Sequence, residues 1–245
     1  MDTKFVVFSC GHNCEKYISG HIRSIHNQTY LNFTHVLVDD ASYDSTASIA
    51  NKAQFSRLSL HQNINNIKWI RNAMAYLDEY IESDEDVIVL VDADDYLAKR
   101  NVLWDLNNIY QQKNCWMTYS LFVDAYGRVS NWIPPYTKEI REKKLYRSSV
   151  WSFTHLRTFK AFLWHNLNKE DLKDPEGGYA KYAYDRFLLM PMLEMSSPDK
   201  ITFIPEVQYV YNNDNPFQVE KINRSEQERM AAYVNQKSKY EAIQR

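Results

Sequence analysis

The chain has 245 residues, with 29 Lys+Arg against 31 Asp+Glu and a formal charge of -2, so it fits one or two domains and has no general electrostatic grip on nucleic acid. No stretch approaches the roughly 18 apolar residues that span a bilayer, and "MDTKFVVFSCGHNC" has too short an apolar core for a signal peptide, so a soluble, cytoplasmic protein is expected. Three cysteines (Cys10, Cys14 and Cys115) exclude a disulfide framework, and the Cys10, His12, Cys14 spacing fits no common zinc pattern.

Taken in chain order, "KFVVFSC" (4–10) reads as a strand, β-branched and apolar throughout. Ile18, Ile22 and Ile25 then recur at helical spacing behind Asn13, the expected N-cap. "THVLVDD" (34–40) is a second strand, "DSTASIANKAQF" (44–55) a helix with Asp and Ser at its entry, and "RLSLHQ" (57–62) a third strand. Ile67, Ile70, Met74, Leu77 and Ile81 line one face of a helix over 67–81, and "DVIVLVDADD" (86–95) is a fourth strand. Strand and helix alternating in this way imply a largely parallel sheet covered on both faces.

Beyond residue 98 the pattern loosens. The spacing predicts a helix over 100–112, a strand pair over 115–130 turning near Tyr126 and Gly127, and a charged loop or lid over 132–150. A helix over 183–195 is expected to bend or end at Pro191, followed by a strand and turn over 202–216 and a polar helix over 225–245. The division expected is a single domain over 1–220, in two halves (1–100 and 101–220), and a helical tail over 221–245. Of the tryptophans, Trp132, Trp151 and Trp164 are candidates for a sugar-stacking face, with core packing the commoner fate of such rings.

Ligands in open α/β sheets bind beyond the carboxyl ends of the strands, and here "SCGHN", "DDASYDST" and "DADD" all follow strands. Asp92, Asp94 and Asp95 cannot all be ionised beside apolar residues without a partner, and a divalent cation such as Mg²⁺ or Mn²⁺ resolves the conflict. Strand alternation would put Asp92 and Asp94 on one side and Asp95 on another. Asp39 and Asp40 fit either a capped helix start or an acid that accepts hydrogen bonds from a nucleobase or ribose.

The run "SCGHNCEKYISGHIRSIHNQTYLNFTHVLVDDASYDSTASIA" resembles the opening of glycosyltransferase family 2, and "VIVLVDADDYL" resembles that family's Asp-x-Asp-Asp element. The resemblance spans residues 4 to 100 and continues in "THLRTFKAFLW" and "YDRFLLMPMLE". It implies an α/β GT-A fold, with a Rossmann-like, mostly parallel sheet flanked by helices and a smaller acceptor-side α+β portion. It also implies an inverting, metal-dependent transfer, with Mn²⁺ or Mg²⁺, from a nucleotide-sugar to a glycan or other hydroxyl acceptor, a UDP-sugar being favoured. By position, Ser9, Cys10, His12, Asp39, Asp40, Arg71 and Asp92 would serve the nucleotide, and Asp94, Asp95 and Asp92 the metal. Asp185 is the general base that the resemblance implies, with Glu176 as runner-up, and His155, Arg157 and Trp151 are candidates for acceptor or phosphate.

Two departures bear on the donor: Cys10-Gly11-His12-Asn13 stands where the family shows Pro-x-Tyr-Asn, and Ala41 where Gly is common. Other readings of the acids are a degenerate glycosyltransferase domain that binds without turnover, and a haloacid dehalogenase-type phosphatase. The latter carries its Asp-x-Asp on an early strand, whereas here it follows three strands. Oligomeric state has no sequence signal.

Overall fold

A computed structural model describes residues 2–216 and 219–245. Its described strands form one sheet in the order β3-β2-β1-β4-β7-β6-β8-β5. These are β1 (Phe5–Gly11), β2 (Phe33–Asp39), β3 (Leu58–Gln62), β4 (Val87–Leu90), β5 (Tyr96–Leu97), β6 (Met117–Asp124), β7 (Arg157–Lys160) and β8 (Ile201–Tyr211). The first four run parallel, as the alternating pattern predicts, while β7 is antiparallel to both β4 and β6. β6 and β8 are parallel to each other, so the expected strand pair over 115–130 reduces to β6 and a single bridge, Val123 to Val129.

Both faces of the sheet are buried, which explains the unbroken apolar runs. Val6, Phe8, Val36, Val38, Ile88 and Leu90 face one core, with α3 (Trp69–Tyr76), α6 (Ala161–His165) and α7 (Tyr184–Met195); Phe5, Val7, Val87 and Val89 face another, with α4 (Val102–Lys113). A smaller cluster seats α1 (Ile18–His26) and α2 (Thr46–Asn51).

Several elements depart from the sequence pattern for physical reasons. Asn13 is not the cap of α1: its backbone is left-handed and its side-chain Oδ1 accepts from Tyr43 N–H, while Tyr17 takes the cap position. The expected helix over 67–81 splits into α3 and a tighter turn over Leu77–Tyr80, starting after Lys68 in a left-handed conformation. α7 runs through Pro191 with residues 187–195 all buried; a lost Phe187 carbonyl bond of about 3 kcal/mol is outweighed by apolar burial of about 2 kcal/mol per large side chain.

The stretch over 132–150 is packed rather than a free lid. It holds α5 (Lys138–Glu142), and Tyr136 and Tyr146 are buried. Arg147 donates to both carboxylate oxygens of the fully buried Glu194 and to the carbonyls of Val234, Lys237 and Ser238. Those carbonyls lie at the end of the last helix, α9 (Arg224–Gln236), which follows the short α8 (Val219–Ile222) and stops well short of residue 245.

Candidate active site

The parallel strand order reverses at β1, which lies between β2 and β4, and that is where an open sheet has its crevice. The loops there are stitched together: Asp40 N–H donates to Gly11 O at 2.8 Å and Ala93 N–H to Cys10 O at 3.3 Å. A Cβ at Gly11 would lie 2.6 Å from Ala93 Cβ, so only glycine lets the two loops approach this closely. Beyond them opens a cavity of about 460 Å³ lined by residues from both halves of the chain.

β4 ends at Leu90, and residues 92–95 form a turn closed by Asp95 N–H to Asp92 O at 2.9 Å. Strand alternation therefore does not apply, and the expected grouping of Asp92 with Asp94 is replaced by another. Carboxylate oxygens of Asp92 and Asp95 and a ring nitrogen of His155 lie within 4.8 Å of one another. Asp94 lines the same cavity and accepts from Asn215 Nδ2 at 2.7 Å. Tyr184 Oη donates to Asp92 at 2.8 Å, while Asp95 accepts from Tyr209 Oη at 2.6 Å and Asn212 N–H at 2.7 Å.

Burial, then the Asp94 charge, pushes the Asp92 carboxyl up to about 6. The same causes push Asp95 well above the ordinary carboxylate range, and burial raises Asp94. His155 is held well below the ordinary histidine range by burial and by Arg157, so its ring is neutral with a nitrogen lone pair to offer. Two crowded acids and a neutral imidazole, with Asp94 on the same cavity, fit a divalent cation, and among the described residues no other group of three or more His, Cys, Asp or Glu converges in this way.

On the side expected to hold the nucleotide, Cys10, His12 and Asp40 line the cavity, but Ser9, Asp39 and Arg71 do not. Ser9 is fully buried on the opposite side of β1, hydrogen-bonded to the rings of His21 and His35. Asp39 accepts from Ser42 N–H, a turn-closing role. Arg71 is exposed, its guanidinium 5.7 Å from the centre of the Tyr179 ring, and Lys68 lies at the cavity instead.

The Asp40 carboxylate accepts from Ile67 N–H, Lys68 N–H and Asn63 Nδ2, which fixes the left-handed turn into α3. His12 bonds the Asp40 carbonyl and sits edge-on to the exposed Tyr43 ring. Burial pushes both the Cys10 and Cys14 thiols up, so they stay protonated and are poor metal ligands.

On the side expected to take the acceptor, Arg157 at the start of β7 pairs with Asp185 in the first turn of α7, N to O 3.1 Å. Trp151 Nε1 donates to the same Oδ2 at 3.1 Å. Asp185 Oδ1 accepts no hydrogen bond among the described residues. Glu176 lies outside the cavity, exposed and paired with Arg229 at 3.0 Å. Trp164 is core, its Nε1 bonded to Asp78, while Trp132 is 58% exposed.

Sequence reasoning missed Tyr184, Tyr209 and Asn215, the partners that hold the three acids, and Lys68 and Trp69 beside them. Trp69 stacks on Tyr184 at 4.2 Å, which braces the phenol against Asp92. The only local signal was the position of Tyr184 next to Asp185, since the other partners lie 114 or more residues from the acids they hold. Non-glycine residues in left-handed conformations, Asn13, Ala41, Lys68 and Ala183, also gather here.

Residues 7–164 match the family model for glycosyl transferase family 2. No curated protein matches the sequence significantly. Among solved structures, the chain is similar to S. aureus TarS 1-349, with TM-score 0.66 and 21% identity over 95% of this chain and 65% of that one. A TarS 1-349 complex with UDP-GlcNAc gives TM-score 0.65 and 21% identity, covering 86% of this chain and 59% of that one. The mannosyltransferase PcManGT from Pyrobaculum calidifontis, in complex with GDP-Man and Mn²⁺, gives TM-score 0.65 and 17% identity, covering 98% and 66%. The chain thus spans less than two thirds of the length of these proteins, and at such identities the likeness shows the fold, a GT-A arrangement as expected.

Proposed function

Because the chain belongs to glycosyl transferase family 2, we propose that it moves a sugar from a nucleotide-diphosphate sugar, with a UDP-sugar favoured, to a hydroxyl of a glycan or other acceptor, inverting the anomeric carbon. The observation that carries this reading is the meeting, across one cavity, of the acidic turn with Asp185 and Arg157. The nucleobase would lie between His12, Tyr43 and the Asp40 loop, and the diphosphate toward Lys68 and the acids. Asp92, Asp94 and Asp95 with His155 would hold Mn²⁺ or Mg²⁺, which supplies a Lewis acid for the departing diphosphate.

Asp185 takes the proton of the acceptor hydroxyl on Oδ1 while Arg157 and Trp151 fix its carboxylate through Oδ2. The acceptor oxygen forms its bond to the anomeric carbon as the bond to the diphosphate breaks, and the electron pair leaves with the phosphate. Tyr184 joins the two halves of this chemistry, since it holds Asp92 through its hydroxyl and is the neighbour of Asp185 in the chain. In this reading Asp185 is preferred to Glu176, which is exposed, paired with Arg229 and not among the residues lining the cavity, and Trp151 serves the base rather than a sugar face.

A thermal-shift panel of UDP- and GDP-sugars with Mn²⁺ tests the donor, because a ligand bound only by the folded state raises its stability. A rise with a nucleotide-sugar and metal-dependent release of its sugar are expected. A rise without release or transfer would favour a binding domain, and no rise with any donor would overturn the reading. Division into a nucleotide half over 1–100 and an acceptor half over 101–220 goes with this proposal.

A further inference from the structure

Beneath the acidic turn, on the opposite side of β1 from the cavity, four side chains connect the outer end of α1 to Asp95. His26 Nε2 lies 3.2 Å from His35 Nδ1, and His35 Nε2 lies 3.2 Å from Ser9 Oγ. Ser9 Oγ lies 2.9 Å from His21 Nε2, and His21 Nδ1 lies 2.8 Å from the Asp95 carbonyl oxygen. His21, His35 and Ser9 are fully buried; His26 is partly exposed and stacks on Phe55 at 4.2 Å.

One atom sets every proton in this series. A carbonyl oxygen only accepts, so His21 carries its hydrogen on Nδ1. Both rings are fully buried and bonded to a carbonyl, a hydroxyl or another imidazole rather than to a carboxylate, so both are neutral, each with one donor and one acceptor nitrogen. His21 Nε2 therefore accepts from the Ser9 hydroxyl, which has no second hydrogen to give. Hence His35 donates from Nε2 to Ser9 and accepts at Nδ1 from His26 Nε2–H.

We propose that His26, His35, Ser9 and His21 form a one-directional hydrogen-bond wire that fixes the Asp92–Asp95 turn from below, making Ser9 and His21 positioning residues for the metal-binding acids. The side chain of Asp95 is held by Tyr209 and Asn212, which grip its two carboxylate oxygens. With His21 on its carbonyl, Asp95 is held through all three of its oxygens. Asp95 N–H in turn bonds the Asp92 carbonyl, so tension or slack in the wire reaches the acids directly. This role rests on the metal reading proposed for the same turn.

Ring-nitrogen chemical shifts of isotope-labelled histidine in the wild-type chain test the wire without any variant. His21 should be protonated at Nδ1, and His26 and His35 at Nε2; His21 protonated at Nε2 would overturn the wire. Titration with Mn²⁺ alone tests the positioning role. Ser9→Ala leaves His21 Nε2 without its donor and should weaken Mn²⁺ binding on the order of tenfold or more, as loss of an outer partner does in metal sites. Tyr30→Phe removes another buried hydroxyl, bonded to Thr3 O at the far end of β1, and should leave Mn²⁺ affinity unchanged.

Equal losses in the two variants, or no loss in Ser9→Ala, would overturn the positioning role. Failure of the wild-type chain to take Mn²⁺ at all, with the expected tautomers present, would instead overturn the metal reading on which that role rests.

Discussion

Asp92 carries the sharpest pH expectation. Its carboxyl, pushed up to about 6, must lose its proton before a cation can take its place. The rise in Tm on adding Mn²⁺ should be full at about pH 7.5 and shrink as pH falls through about 6 toward 5. A rise undiminished at about pH 5 would remove Asp92 as a ligand. In the metal-free chain the same group has the opposite sign: the protonated carboxyl is the favoured form, a contribution present below 3.8 and lost as pH rises through about 6. Asp92→Asn should therefore leave the metal-free Tm unchanged or higher while abolishing the Mn²⁺ effect.

Asp94→Asn should cut transfer by about a hundredfold or more through loss of metal-diphosphate binding, and an unchanged rate would remove Asp94 from the metal site. Asp185→Asn should lower turnover with donor affinity nearly intact. It also leaves the buried Arg157 without its carboxylate partner, a destabilisation of about 3 kcal/mol that thermal unfolding will register. Ala41 follows Asp40 with φ of 63°, a conformation that costs a side chain roughly 1 kcal/mol relative to glycine. Ala41→Gly should raise stability by about that amount, measured by denaturant unfolding.

At the scale of elements, β8 does what the early strands cannot. Its register against β6 shifts between Ser120 and Phe122, where the exposed Pro205 and Glu206 interrupt the pairing, so its second half also pairs with β5. That redirection brings Tyr209 and Asn212 to Asp95, and the turn that follows brings Asn215 to Asp94. Neither the redirection nor its targets follow from the strand-like pattern over 202–216. α7 carries Tyr184 and Asp185 at its start and Glu194 near its end, and Arg147 binds that end to α9. Arg147→Ala would leave the buried Glu194 carboxylate without its ion-pair partner, a loss of about 3–5 kcal/mol visible as a lower Tm.

At the scale of the whole molecule, the site exists because β1 separates β2 from β4 and because β7 enters the same sheet antiparallel to β4. Leu90 pairs with Arg157, so the strand that delivers the acids lies beside the strand that delivers a buried cation whose charge acts on Asp92. Met230 and Val234 of α9 pack into the main core, which makes residues 224–236 part of the body rather than a loose tail. Deleting residues 223–245 should lower Tm and strip Arg147 of its carbonyl partners, measured as loss of cooperative unfolding.

The sequence by itself determined the alternation of strands and helices over the first hundred residues, the polar strand ends and the surplus of acids after β4, because periodicity, capping chemistry and the cost of buried charge act over a few neighbouring residues. Asp40, Asp92, Asp94, Asp95 and Asp185 were legible in that way or by resemblance. What only the tertiary structure decided is which groups meet them. Ser9 points away from the cavity because β1 is buried on both faces, Arg71 lies outside because α3 starts two residues after Ile67, and Asp92 joins Asp95 because the strand stops at Leu90. Tyr184, Tyr209, Asn215 and His155 reach the acids from positions 60 or more residues away. Such partners are selected by burial and hydrogen-bond geometry, which no local pattern in the chain records.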